Sequence, residues 1–187
     1  MSYPSRVESI VVSKGLHIYA LSLRGKLEPG WAGALCNGLA RLKVSIRKVA
    51  AVRDSRRNWD ASVEMDFAAC AVPPDAVDYT ALAAETVVTS DDLATVVLTD
   101  YQIEPSRRCD GSLYLEIAAH DRLGLLSSLL NTFCLFSLFP AEMQVETNGR
   151  HAFGRFWLKG VAGTVPSRDT LVTLKDRLDT LLIRRGE

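Results

Sequence analysis

The sequence predicts an α+β protein in which one β-α-β-β-α arrangement is written twice. Three observations carry that expectation. Apolar patterns of strand period and helix period follow one another in the same order in both halves. An ungapped offset of 94 residues lays Leu21 on Leu115, Leu23 on Ile117, Gly30 on Gly124, Leu35 on Leu129, Asn37 on Asn131 and Val49 on Met143. Each half is also preceded by a further strand-like run, "VESIVVS" in the first and "ATVVLTD" in the second.

The second copy is the clearer one. "SLYLEIAAH" sets Leu113, Leu115 and Ile117 against Tyr114, Glu116 and His120, a period of two and hence a strand. Leu125, Leu126, Leu129, Leu130 and Phe133 follow at helical spacing. "FPAEMQVET" alternates again, "NGR" at 148 to 150 predicts a hairpin turn, and "HAFGRFWLK" is the returning strand. Leu171, Leu174, Leu178 and Leu181 form the stripe of a closing helix, with Ser167 placed as its N-cap.

The first copy predicts a strand over 16–24, a helix over 31–42, strands near 45–53 and 59–67, and a second helix within "PPDAVDYTALAAETVV". A one-residue insertion in this copy restores the register, laying Val63 on Phe156. No strand follows the second helix of the second copy, so the leading strand of each half is expected to fill that place. Lys14-Gly15 is short enough for an antiparallel hairpin between the runs at 7–13 and 16–24. The expected result is two ferredoxin-like (βαββαβ-type) units, each a four-stranded antiparallel sheet with two helices on one face. Exchange of the leading strands between halves is the alternative. Ile10, Val12, Val44, Val49 and Trp157 suggest that the second face of each sheet is partly apolar.

Composition narrows the function classes. The chain has 187 residues, 48% of them apolar, and no net charge. That is a globular profile and gives no global attraction to nucleic acid or membrane. The first thirty residues lack a basic start followed by a long apolar stretch, which argues against a signal peptide. The four cysteines form no C-x-x-C pair and are expected to be reduced and mostly buried in a cytoplasmic protein. No phosphate loop, catalytic triad or paired catalytic carboxylate is recognisable, so no enzyme is expected, and no cofactor or metal. A site on His120, His151 and Asp121 lacks ligand spacing. A basic strip runs through Arg41, Lys43, Arg47, Lys48, Arg53, Arg56 and Arg57, with Asp54 as its one acid. It could meet an acidic protein or a nucleic acid, but solvated charge is the commoner reading and nucleic acid is not expected.

The stretch "LEIAAHDRLGLLSSLLNTF…AEMQVETNGRHAFGRFWL" resembles the ACT domain, a small regulatory module of amino-acid metabolism. The family's strand end, of the type D-R-P-G-L-L, is matched by Asp121, Arg122, Leu123, Gly124, Leu125 and Leu126, with Leu123 in place of proline. Thr147, Gly149, Ala152 and Phe156 echo its hairpin. The resemblance covers about 113–184. The first half resembles the family more weakly: Pro29-Gly30 is kept, but Leu27 and Glu28 replace the Asp and Arg. The chain is thus similar to a stand-alone tandem ACT protein, in layout like the glycine-cleavage repressor group, with a degenerate domain over 1–91 and a second over 92–187.

The resemblance implies a ligand site at Asp121, Arg122, Leu123, Gly124 and Leu125, with a weaker counterpart at Glu28, Pro29, Gly30 and Trp31. The chemistry agrees. Gly124 leaves main chain accessible at a helix start, where unpaired N–H groups attract a carboxylate. Arg122 can add a charge-assisted bond and Asp121 can accept from an ammonium group. A purely structural role is equally open: Asp121 as cap, Gly124 for tight packing, Arg122 solvated. At the first loop Glu28 would repel a carboxylate, so the structural role is favoured there, and Trp31 is expected in the core or an interface. The expected function is regulatory binding of an amino acid or related metabolite, in a homodimer with a regulated protein partner. A protein-interaction module without a metabolite is the alternative.

Overall fold

The computed structural model describes residues 7–85 and 96–182. The first half contains β1 (Glu8–Gly15), β2 (Ile18–Gly25), α1 (Trp31–Arg41), β3 (Ser45–Arg53), β4 (Trp59–Asp66) and α2 (Tyr79–Ala84). The second contains β5 (Leu98–Ser106), β6 (Ser112–His120), α3 (Leu125–Leu135), β7 (Phe139–Asn148), β8 (His151–Lys159) and α4 (Arg168–Leu181). The class is α+β, with every strand pair antiparallel.

The leading strands stay in their own halves. β1 pairs with β2 from Glu8↔Arg24 to Gly15↔Ile18, and β5 pairs with β6 from Leu98↔Ala119 to Ser106↔Ser112. The turn lies at Leu16-His17 rather than at Lys14-Gly15, which are the last residues of β1, and so short a link allows nothing longer-ranged. β5 runs on past the strand-like run into Pro105; an edge strand tolerates the missing N–H. Tyr101 donates its hydroxyl to the Asp179 carboxylate and so ties β5 to α4.

Two separate four-stranded sheets were expected, and here the structure differs. The strand order is β1-β2-β4-β3-β7-β8-β6-β5, a single eight-stranded sheet. The join is the β3–β7 pair, from Lys48↔Glu146 to Val52↔Glu142. Alternating patterns alone cannot tell an edge strand from an interior one, which is why the join escaped prediction. Ala50 lies opposite Gln144, and these are the residues that the repeat offset superimposes. An approximate twofold axis therefore passes between them and relates the halves.

The helices cover one face. Leu21, Val63, Val49 and Val145 share a row across the sheet and join Leu35, Leu39, Leu129, Phe133, Leu174 and Leu178 in one core. Phe133 meets Phe156 edge to face at 5.1 Å. Val44 and Val49 thus belong to this core rather than to the second face. Ile10 (60% exposed), Val12 (52%) and Phe153 (53%) do point to the open side. Trp157 lies on that side too, but it is covered by the Arg108 guanidinium at 4.3 Å and by Tyr114 at 5.2 Å. Elsewhere the open face carries cross-strand ion pairs: Arg24–Asp60, Lys48–Glu146 and Arg155–Glu116.

Local signals account for most element ends. Ser167 accepts from the Thr170 amide at 3.1 Å as the N-cap of α4. The second helix of the first half is shorter than its pattern suggested. Pro73-Pro74 opens only a 3-10 turn over Pro74–Ala76, Val77 is extended, and Asp78 must cap a fresh start at Tyr79. The end of that pattern (86–88), the boundary at 91/92, the start of the leading strand at 94–95 and residues 183–184 lie outside the described residues. Of the cysteines only Cys36 is buried, its thiol pushed up to about 12 by desolvation. Cys70, Cys109 and Cys134 are half-buried rather than buried as expected, and all four are unpaired thiols. Among the described residues no helix is long and apolar enough to cross a membrane.

Two substitutions test this account. Phe133→Ala removes a fully buried ring at the centre of the core and is expected to lower stability by about 3–5 kcal/mol in urea melts. Ser167→Ala is expected to lower it by only about 1 kcal/mol, since the lost bond is an exposed cap.

Candidate functional site

Both sequence-predicted loops connect a strand to a helix, and they have the same backbone. Gly30 (φ 89°, ψ −5°) and Gly124 (φ 83°, ψ 0°) are left-handed N-cap residues of α1 and α3. The Trp31 amide donates to the Glu28 carbonyl, and the Leu125 amide to that of Arg122, each at 3.1 Å. A residue with a Cβ is strained in this region, which explains glycine at both places.

What surrounds the loops is different. Asp121, Arg122, Leu123, Gly124 and Leu125 are brought together against Ala40, Val44, Ser45 and Ile46 of the other half, around a space of about 30 Å³. That holds one water and no amino acid. A Cβ on Gly124 would lie 3.8 Å from the Ala40 methyl. The Asp121 amide donates to the Arg150 carbonyl at 2.8 Å, fixing the loop to the β7–β8 turn. Burial raises the Asp121 carboxyl above the usual carboxylate range, against the lowering effect of hydrogen bonds from the Arg122 amide and Thr147. Arg122 is half-buried and engaged by a neighbour.

The weaker loop opens on the larger space. Glu28, Pro29, Gly30 and Trp31 line a cleft of about 500 Å³, and a Cβ on Gly30 would meet nothing within 4 Å. The opposite wall comes from the second half: Leu130 and Cys134 of α3, Phe139 and Pro140 of β7, and the 3-10 turn Val161–Gly163 after β8. Under the repeat offset, Leu130 and Cys134 correspond to Cys36 and Ala40, which face Gly124. The two spaces are therefore twofold-related positions on one frame, one small and one large. The sequence ranked them the other way.

Trp31 is buried, as expected, and meets Trp59 edge to face at 5.3 Å beneath the cleft. The rim is cationic. Lys26, Arg53, Arg56, Arg57 and Lys159 line the cleft, against Glu28 alone. Lys159 is committed elsewhere: its Nζ donates to the carbonyls of Cys109, Asp110 and Gly111 at 3.0, 3.1 and 2.6 Å. Arg56 and Arg57 sit in the β3–β4 turn, which Asp54 holds closed by accepting from the Asn58 amide at 2.8 Å and its side-chain amide at 3.2 Å. Those bonds keep the Asp54 carboxyl below its usual range.

The basic strip of the sequence is thus divided by the fold. Arg41, Arg47 and Lys48 pair with Glu85, Glu64 and Glu146, whereas Arg53, Arg56 and Arg57 turn to the cleft. The strip signalled these arginines, but its pattern carried no hint that the β3–β4 turn lies beside the start of α1. The contribution of Val161–Gly163 left no signal at all. His120 and His151 are cross-strand partners with rings 5.6 Å apart. Among the described residues no group of three or more metal-ligating side chains is assembled. No family model matches this chain, and the searches of curated proteins and of solved structures found no match to it.

Gly30→Ala and Gly124→Ala should each cost about 1–2 kcal/mol in urea melts, because both carry the same backbone strain. Asp121 gives a pH signature. Its folded pKa lies above its unfolded value, so the folded state holds this proton more tightly. Its contribution to stability is present at low pH and declines as pH rises from about 4 through the folded value. Asp121→Asn is expected to flatten that decline; an unchanged pH profile would show that the carboxyl is not perturbed.

Proposed function

We propose that this protein is a ligand-responsive regulatory module of the tandem ACT type. Its halves are read as two ferredoxin-like domains, over 1–91 and 92–187, with the fourth strand of each written first. The ligand is an amino acid or related carboxylated metabolite. It sits in the cleft at residues 26–33 rather than at the 121–125 loop.

The observation that carries this reading is the cleft itself. Its volume is in the range of small-molecule sites, its floor is aromatic, its rim is basic, and its two walls belong to different halves. A ligand bridging both walls favours one relative setting of the halves over another, which is the physical requirement for signalling. The reading is of a binding protein rather than an enzyme, acting as a cytoplasmic homodimer on a protein partner.

The open face favours the second reading, a protein-interaction module without a metabolite, because Ile10, Val12 and Phe153 lie bare on it. The paired charges between them suit water as well as they suit a partner.

Thermal-shift screening against the twenty amino acids and simple dicarboxylates separates the two. The proposal expects at least one compound to stabilise the protein, by about 2.7 kcal/mol at a hundred times its Kd. Gly30→Val should abolish that shift. Gly124→Val, with the same backbone strain but no open cleft beside it, should retain it. Loss in Gly124→Val alone would return the site to the 121–125 loop. No shift with any compound, alongside self-association lost in Ile10→Lys or Phe153→Lys, would favour the interaction module.

A further inference from the structure

We infer that the cleft at residues 26–33 takes a polyanion, a small molecule with at least two separated phosphoryl or carboxylate groups, rather than a plain zwitterionic amino acid. This rests on the cleft reading above and narrows its ligand class.

The inference comes from where cations gather: Lys14, Lys43, Arg107, Arg150, Arg168, Lys175 and Arg177 also lack a carboxylate partner among the described residues, but none of them lines the cleft. Arg24, Arg41, Arg47, Lys48, Arg108 and Arg155 each have a carboxylate partner. Lys26, Arg53 and Arg57 have none among the described residues, and all three line the same cleft. Arg56 joins them, within the field of Asp54. The one carboxylate in the lining is Glu28, which is exposed. Like charges gathered over a tryptophan floor repel one another, and an anion bound among them removes that cost.

The positions call for more than one anionic group. Arg53 ends β3 at the seam and reaches across it: a Cβ on Gly163, in the second half, would lie 3.3 Å from its Nη2. Arg56 and Arg57 stand on the β3–β4 turn, and Lys26 follows β2. A single carboxylate satisfies one guanidinium fork and leaves the remaining cations unneutralised. A zwitterion brings an ammonium group that has only Glu28 to meet.

Calorimetric titration of the full chain tests this with inorganic pyrophosphate, phosphoserine, citrate, serine and alanine. The expected result is binding of pyrophosphate, phosphoserine or citrate in preference to serine, weakening as salt is raised. Preference for pyrophosphate and phosphoserine assigns phosphoryl groups; preference for citrate assigns carboxylates. Arg53→Gln and Arg57→Gln should each weaken the Kd about tenfold or more. Arg155→Gln, on the open face, should leave it unchanged. Lys26→Gln, outside any strand, checks the same prediction should Arg53→Gln prove unstable when melted without ligand. Polyanion binding that survives all three cleft variants would overturn the inference. So would serine or alanine binding with equal strength in wild type and Arg57→Gln; if Gly30→Val abolished that binding, the cleft reading would stand while the polyanion failed. No binding by any probe or amino acid would overturn both.

Discussion

The pairing of β3 with β7 is the constraint on which the rest of the structure depends. It turns two similar half-chains into one continuous sheet and places Ala50 against Gln144 at the centre. From that register follow the contact of α1 with α3, the single core beneath both halves, and the positions of both strand-to-helix loops. Each loop faces the far end of the other half's first helix because the halves are related about that centre. A cleft with walls from both halves is a product of the seam and would not exist on either half alone.

The same frame gives opposite results at its two related positions. At 121–125 the loop is bound to the β7–β8 turn, and Cys36, Ala40, Val44, Ser45 and Ile46 face it across a small space. At 26–33 the facing side chains include Cys134, Phe139 and Pro140, the β3–β4 turn carries five residues rather than two, and the segment after β8 forms a further wall. Backbone torsion is shared between the two glycines, so torsion is not what opened one site. The difference lies in which side chains face each loop and in turn length, which are free to diverge once the main chain is fixed.

Much of the fold was legible because strand and helix periods are strong where one face is buried. The strands at 112–120 and 151–159, the helix at 125–135 and the Ser167 cap were all readable from local pattern. The hairpin pairing of the leading strand followed from a link too short for anything else. The union of the sheets was not legible, since β3 alternates in the same way whether its outer edge meets water or β7. The interrupted helix was hidden by apolar spacing that continues through Val77, where the chain is extended. For the site, the glycines were found and the cations noticed, but as unrelated features. Only the turn of the chain at Asp54 brings them to one place, and the neighbour that faces Gly124, Ala40, is far away in sequence.

The central register has one more consequence. Ala50 and Gln144 occupy equivalent places in their halves, so the edge that each half offers is shaped to receive an edge of its own kind. Severed from its companion, a half would carry a bare ribbon whose best match is a duplicate of itself, and two identical halves could rebuild the full-width sheet. Covalent linkage keeps the two matching edges together, and it lets each half carry its own residues without imposing them on the other.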